Sequence, residues 1–343
     1  MADISSGTAY VDTALGTDDT SHGESSGSGA CKTLKYMLET RVIQLTGDLT
    51  VLCVGGSEDL SASIALSGKS TAAYKLTIRG DRWSSATDGL FSTSKYNLKN
   101  DSVNNHLITF TELNLEIDGL QFDLTNAGTA NHAFRSAIGA AAQVITVKNC
   151  IFRCGSQASS KGIYGAFYAG STLKLFNTVF TGFTGTGAAG LDTNVTGNVW
   201  SVSNCTFSGC TEAMLGTSYG SLVKNCLFNN CGSIATIALA VGSEHNSSTE
   251  DETWNPADSH SYDPCSDFNF ADEGNGDFRL TATSGDPNAR NSGVTLTDCS
   301  PDPMGTARPS ETNYSRGAFE YVTTGGGSSA VPGIMAAYRR RRG

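Results

Sequence analysis

The apolar residues of this chain alternate in short runs, and each run breaks at the same kind of place. Ile145 and Val147 precede Asn149, Leu173 and Leu175 precede Asn177, Trp200 and Val202 precede Asn204, and Val223 precedes Asn225. A period of two marks a strand with one buried face. After each Asn the phase slips by one, so Cys150 and Phe152, Cys205 and Phe207, and Cys226 and Phe228 carry on the inward-facing set. A bend at Asn accounts for the slip, because Asn accepts the left-handed backbone conformation better than most residues. The resulting phrases are NCIFRC at 149–154, NTVFTGF at 177–183, NCTFSGC at 204–210 and NCLFNNC at 225–231, and their first residues lie 28, 27 and 21 residues apart. Such spacing predicts a solenoid, one supersecondary step repeated and stacked.

Stacking puts Asn149, Asn177, Asn204 and Asn225 in one column and Phe152, Phe180, Phe207 and Phe228 in another. Successive rungs are then about 4.8 Å apart. The expected organisation is an N-terminal segment with a capping helix over 1–41, a parallel β-helix over 42–242, an acidic C-terminal cap over 243–322, and a Gly/Ser linker with an Arg-rich tail over 323–343. The solenoid has room for roughly eight coils of ~25 residues, a stack on the order of 40 Å long. Cys31, Leu34, Met37 and Leu38 recur at helical spacing. A short amphipathic helix there covers the open end, which otherwise exposes apolar side chains and unpaired strand edges.

The coil phrases resemble those of right-handed parallel β-helix proteins, the pectate-lyase-like superfamily. AYVDTALGTDDTSHG (9–23) followed by ACKTLKYMLE (30–39) is similar to the segment that precedes the first coil in many such proteins. GDFRL (276–280), DPMGTAR (302–308) and RGAFEY (316–321) are similar to the closing segment of many β-helix proteins of bacteria and their phages. The resemblance covers most of 9–321 and implies an all-β right-handed solenoid. It implies an architecture rather than an activity.

Composition narrows the compartment. The opening MADISSGTAYVDT has neither a basic region nor an apolar run, so it reads as having no secretory signal, and no stretch approaches the ~18 apolar residues that span a bilayer. The expectation is synthesis in a host cytoplasm and residence in a virion, since polysaccharide-active β-helix enzymes encoded by cells are usually exported; an extracellular or cell-surface location is the alternative. Six of the ten cysteines sit in the coil phrases, where stacking explains them as small buried hydrophobes. Their spacing, without neighbouring His, does not match zinc sites. Net charge is −10, and residues 243–302 hold thirteen acids against Arg279 and Arg290, so this stretch accounts for the whole excess.

Candidate chemistry is sparse. Lyases of this superfamily need acidic calcium ligands and a basic residue, and the hydrolases need two or three carboxylates on one face. Over 131–240 the only acids are Asp192 and Glu212. DEGNGD (272–277) is the candidate calcium loop, with Asp272, Asn275 and Asp277 as oxygen ligands, although it lacks the full twelve-residue pattern and also reads as a polar turn. No other cofactor is expected. GESSG around Ser25 fits a nucleophile elbow only by chance, since it lies in a Ser/Gly-rich loop, and GTGAAG (185–190) reads as a turn between coils. The five histidines show no metal spacing.

Arg339, Arg340, Arg341 and Arg342 form a cationic tail suited to phosphate, carboxylate or an acidic protein groove. The expected function is therefore a non-catalytic phage virion protein, a tail spike, fibre or capsid decoration. Its tail would anchor on other virion proteins, its coil faces would meet a host surface glycan, and its assembly would be a homotrimer by analogy. The alternative is a polysaccharide lyase or glycoside hydrolase, and a third reading is a surface adhesin.

Overall fold

The computed structural model describes residues 3–83, 89–100, 106–126, 128–137, 141–165, 167–193, 199–216, 222–235, 239–249, 265, 268–283 and 289–322. Three parallel sheets run the length of the molecule, and successive coils contribute one strand to each. Sheet 1 contains Gly7–Asp12, Leu49–Val54, Leu76–Arg79, Asn114–Asp118, Val144–Lys148, Thr172–Phe176, Val199–Ser203 and Leu222–Lys224. Sheet 2 follows the Asn turn, from Ser57–Leu60 through Ile151–Arg153, Val179–Thr181, Thr206–Ser208 and Leu227–Asn229 to Ser247–Ser248. Sheet 3 contains Ile64–Leu66, Ile108–Phe110, His132–Ser136, Lys161–Gly165, Ala189–Thr193 and Glu212–Gly216. The chain is a right-handed parallel β-helix, and the register is strict: Ile145 lies on Leu173, and Leu173 on Trp200.

The phase slip has the cause that the residues suggested. Asn149, Asn177, Asn204 and Asn225 all have left-handed backbones, with φ of 56°, 52°, 48° and 54°. Gly119 (φ 69°) holds the same place in the preceding coil and His245 (φ 57°) in the following one. Inside, Phe122, Phe152, Phe180, Phe207 and Phe228 stack face to face with ring centroids 4.5, 4.8, 4.8 and 5.3 Å apart. The stack fills the corner towards sheet 3 so completely that a Cβ on Gly162 would stand 2.8 Å from Phe180, and one on Gly190 2.8 Å from Phe207. All ten cysteines are free and buried. Burial raises the thiol pKa, pushing Cys150 far above the usual thiol range and Cys154 to about 11.

At the N-terminal end a helical turn over Leu34–Tyr36 continues into a π-turn over Met37–Arg41. Thr33 caps it by accepting from the Tyr36 N–H. Leu34, Met37 and Leu38 are fully buried over the first coil. The free N–H groups of Leu34 and Lys35 donate to the Glu58 carboxylate at 2.7 and 3.1 Å, which puts a buried anion on the positive end of the turn.

The C-terminal segment begins at the far end, where the Cys265 N–H donates to the Ser248 carbonyl at 2.6 Å. It then returns down the flank, over sheet 2 and the Asn turns, instead of forming only an end cap. The reason is apolar: Ile151 and Val179 point outwards from sheet 2 and need cover, which Phe278, Ala318 and Phe319 provide. Leu227 is covered in the same way by Cys265, Phe268, Leu280, Ala289 and Tyr321.

Candidate functional site

Each sheet presents one wall to the outside, and the three walls differ in chemistry. The wall of sheet 2 is closed by the chain itself. Asn177 donates to the carbonyls of Cys299 and Pro301 at 3.2 and 2.9 Å, Asn204 to that of Ser315 at 3.0 Å, and Asn225 exchanges hydrogen bonds with the Val294 backbone at 2.7 and 2.8 Å. The Asn column is therefore a docking strip as well as a ladder. Its side chains touch in two pairs, Asn177 to Asn149 and Asn225 to Asn204, each at 3.3 Å. Between the pairs the expected contact is replaced by Arg308, whose Nη2 donates to Asn177 Oδ1 at 3.3 Å. The same guanidinium reaches the Ser315, Gly317 and Ala318 carbonyls and the Glu320 carboxylate, and both members of this ion pair are fully buried.

Sheet 1 carries a lattice of opposite charges. Glu116 accepts from Lys75 at 2.8 Å and meets Lys148 at 2.9 Å, while Asp118 accepts from Arg79 at 3.0 Å and lies 3.9 Å from Lys148. Burial acts against ionisation, yet the two ammonium groups hold Glu116 below the usual carboxylate range. Neighbouring coils supply opposite signs at facing positions, the sheet form of a stabilising cross-strand pair.

Sheet 3 is different. The rings of His106 and His132 stack 4.7 Å apart, and Tyr164 stacks on His132 at 4.5 Å, so three coils present one aromatic column. Arg135 Nη1 lies 2.8 Å from His106 Nε2, and the His132 N–H donates to His106 Nδ1 at 3.2 Å. Burial, helped by the Arg135 charge, lowers His106 to about 4, and burial with His106, Arg135 and Lys161 nearby lowers His132 to about 3. Both imidazoles are neutral at pH 7. Lys161 spans from the Gly187 carbonyl (2.7 Å) to Asp192 Oδ2 (3.3 Å). Burial raises Asp192 against the pull of that ammonium. Four buried polar atoms beside this column, Asn131 Nδ2, His132 Nδ1, Arg135 Nε and Ser160 Oγ, have no hydrogen-bond partner.

The remaining sequence candidates lie elsewhere. In 272–277, Asn275 donates to Asp272 Oδ2 at 2.8 Å, while buried Asp277 is gripped by Arg279 Nε and Nη2 at 2.6 to 3.0 Å and accepts from the Gly89 N–H at 3.2 Å. Among the described residues no group of three or more His, Cys, Asp or Glu is placed to hold a metal ion. Arg339, Arg340, Arg341 and Arg342 lie outside the described residues. Among those described, no helix is long and apolar enough to cross a membrane. The sheet 3 column was missed in the sequence because His106 and His132 form no motif; their equivalent places in adjacent coils were the signal available.

The family model described as "Rhamnogalacturonase A/epimerase, pectate lyase-like" matches residues 53–236, more than half of the 343-residue chain. No curated protein and no solved structure matches the chain.

Proposed function

The chain belongs to the rhamnogalacturonase A/epimerase, pectate lyase-like family, and from that premise we propose that it binds a surface glycan along its open walls without cleaving it, as an attachment or structural protein of a phage particle. The polysaccharide connection comes from the family. The non-catalytic part rests on one observation: on the wall of sheet 1, Glu116 sits between Lys75 and Lys148, which hold it below the usual carboxylate range, and Asp118 is paired with Arg79. Glycoside hydrolysis needs two carboxylates in different protonation states on either side of the bond. A carboxylate kept ionised by a neighbouring cation is a poor general acid.

The virion assignment is supported by the likeness of GDFRL, DPMGTAR and RGAFEY to closing segments of phage and bacterial β-helix proteins. Within this proposal Arg339 to Arg342 engage neighbouring virion proteins, and the protein assembles as a trimer. Mass spectrometry of purified particles tests the assignment, and absence of the chain from virions made in the same host defeats it.

A second reading, polysaccharide cleavage, has its own observation. Burial raises Asp192, the condition of a general acid, and Glu212 on the next coil has a buried Oε2 without a hydrogen-bond partner. A screen for new reducing or unsaturated sugar ends separates the readings. Turnover that disappears in both Asp192→Asn and Glu212→Gln establishes the second and ends the first.

A further inference from the structure

Among the described residues one lysine ion pair is shut away from water. The Lys161 side chain is 6% exposed and that of Asp192 9%. The other paired lysines, Lys75, Lys148 and Lys224 among them, keep 24% or more of the side chain in solvent. Arg308 and Glu320 are buried together as well, but a guanidinium stays protonated, whereas a desolvated lysine amine is a nucleophile.

The fold holds the two groups against each other. Lys161 Nζ lies 3.3 Å from Asp192 Oδ2. Lys161 and Asp192 sit on neighbouring strands of sheet 3, in register with Ala189 and Tyr164 respectively, so both backbones are fixed. The Gly187 carbonyl accepts from the same nitrogen at 2.7 Å, which occupies one N–H and leaves the rest of the amine to the carboxylate. Burial raises Asp192, and Lys161 is the cation that opposes the rise. Asp123 on sheet 2 is buried too, yet Arg153 and two hydrogen bonds from Thr125 hold it low. Asp192 has no such support, and it is the carboxylate that favours the neutral acid.

We propose that Lys161 and Asp192 join in an intramolecular amide bond, a covalent rung between two coils of sheet 3. The ion pair is the reactant. Without water around it, the ammonium passes a proton to the carboxylate, which removes both buried charges. The neutral Nζ then attacks Cγ: the N–C bond forms, the C–OH bond breaks, and the hydroxyl leaves with one amine hydrogen as water. This is a condensation, so no oxidant or reductant is needed. Fixed contact replaces a bimolecular encounter, and exclusion of water protects the product from hydrolysis. The bond closes a loop between coils as a disulfide would, in a chain whose ten cysteines are all free. An Asp192 bound as an amide cannot act as general acid, so the bond and the cleavage reading exclude each other.

Mass spectrometry of the denatured full chain tests the bond. The expected mass is one water below that of the sequence. Trypsin should leave the chain uncut after Lys161, and fragment ions should show a branched peptide joining Lys161 to Asp192. Lys161→Arg keeps the cation without the amine, and its expected mass is that of its full sequence. A wild-type chain at full sequence mass, cut by trypsin after Lys161, overturns the proposal. A water loss that persists in Lys161→Arg, or that maps to another residue, overturns it too, because it marks a cyclised aspartate instead.

Discussion

The wall of sheet 2 and the wall of sheet 3 are built from the same coils, yet they treat charge in opposite ways. On sheet 2 the chain folds back over itself. The terminal nitrogens of Arg308 there find four oxygens and a carboxylate, and those of Arg316 find the Asn246 and Ser292 carbonyls and Ser247 Oγ. Among the described residues no returning segment covers the sheet 3 wall, and Asn131, His132, Arg135 and Ser160 keep atoms without partners there, against Arg308 Nε and Ser292 Oγ beneath the C-terminal segment. A buried polar group is tolerable when its partners come with the fold. The contrast is between polar groups bridged to a returning segment and polar groups bridged only from coil to coil.

The closed wall gives the largest expected effect. Arg308→Ala leaves the Glu320 carboxylate buried without its cation, and strips the donor from which Asn177 Oδ1 and three carbonyls accept. Breaking a buried pair from one side costs about 3–5 kcal/mol. Guanidinium denaturation of the variant checks this, and a loss below about 1 kcal/mol would mean that the segment over 289–322 is not part of the cooperative fold. Arg135→Gln, on the open wall, changes stability by no more than about 0.5 kcal/mol.

A smaller effect divides the Asn column itself. Asn204 is fully buried beneath the C-terminal segment, whereas Asn149 is half-buried and donates to Asp118 at 2.8 Å. Alanine at either position incurs the left-handed penalty of about 1–2 kcal/mol. At 204 it also removes the hydrogen bonds that Asn204 donates to the Ser315 and Gly317 carbonyls, for a total of about 2–4 kcal/mol. Glycine removes the backbone part of the cost, so Asn204→Gly should remain destabilised while Asn149→Gly approaches wild type in the same denaturation assay. Equal values for the two glycine variants would reduce the column to a set of turns with no docking role.

Sheets 1 and 2 were legible because each strand keeps period two up to a residue that tolerates positive φ. Even so, Gly119 and His245 occupy the same column unread, since the turn demands a conformation and not a residue type. Sheet 3 was not legible for a different reason. Its strands send two consecutive residues inwards, Ala133 with Phe134 and Gly162 with Ile163, so the alternation that identifies a strand is broken. Lys161 and Asp192 are also distant in sequence and meet only because one coil sits on the next. The C-terminal segment carries its apolar contacts on isolated residues such as Phe278 and Phe319, which give no period at all. Its acidic composition was visible, but its route down the flank was set by Ile151 and Val179, outward positions that the pattern alone assigns to solvent.

The smallest effect sharpens the comparison through pH. His106 and His132 have folded pKa values of about 4 and about 3, against 6.5 for an unperturbed imidazole, because burial and the charges of Arg135 and Lys161 oppose protonation. Between those values and 6.5 the unfolded chain binds protons that the folded chain refuses, so this contribution to stability is complete above pH 6.5 and is lost as pH falls towards 4 and then 3. Partial solvent exposure at His106 weakens the effect, leaving a slope on the order of 1 kcal/mol per pH unit for the pair. Denaturation at pH 7 and pH 5 should show a larger loss in wild type than in His106→Asn/His132→Asn, which has no imidazole to titrate on this wall. Parallel losses in the two proteins would place the acid sensitivity elsewhere and remove the electrostatic difference between the open and the closed wall.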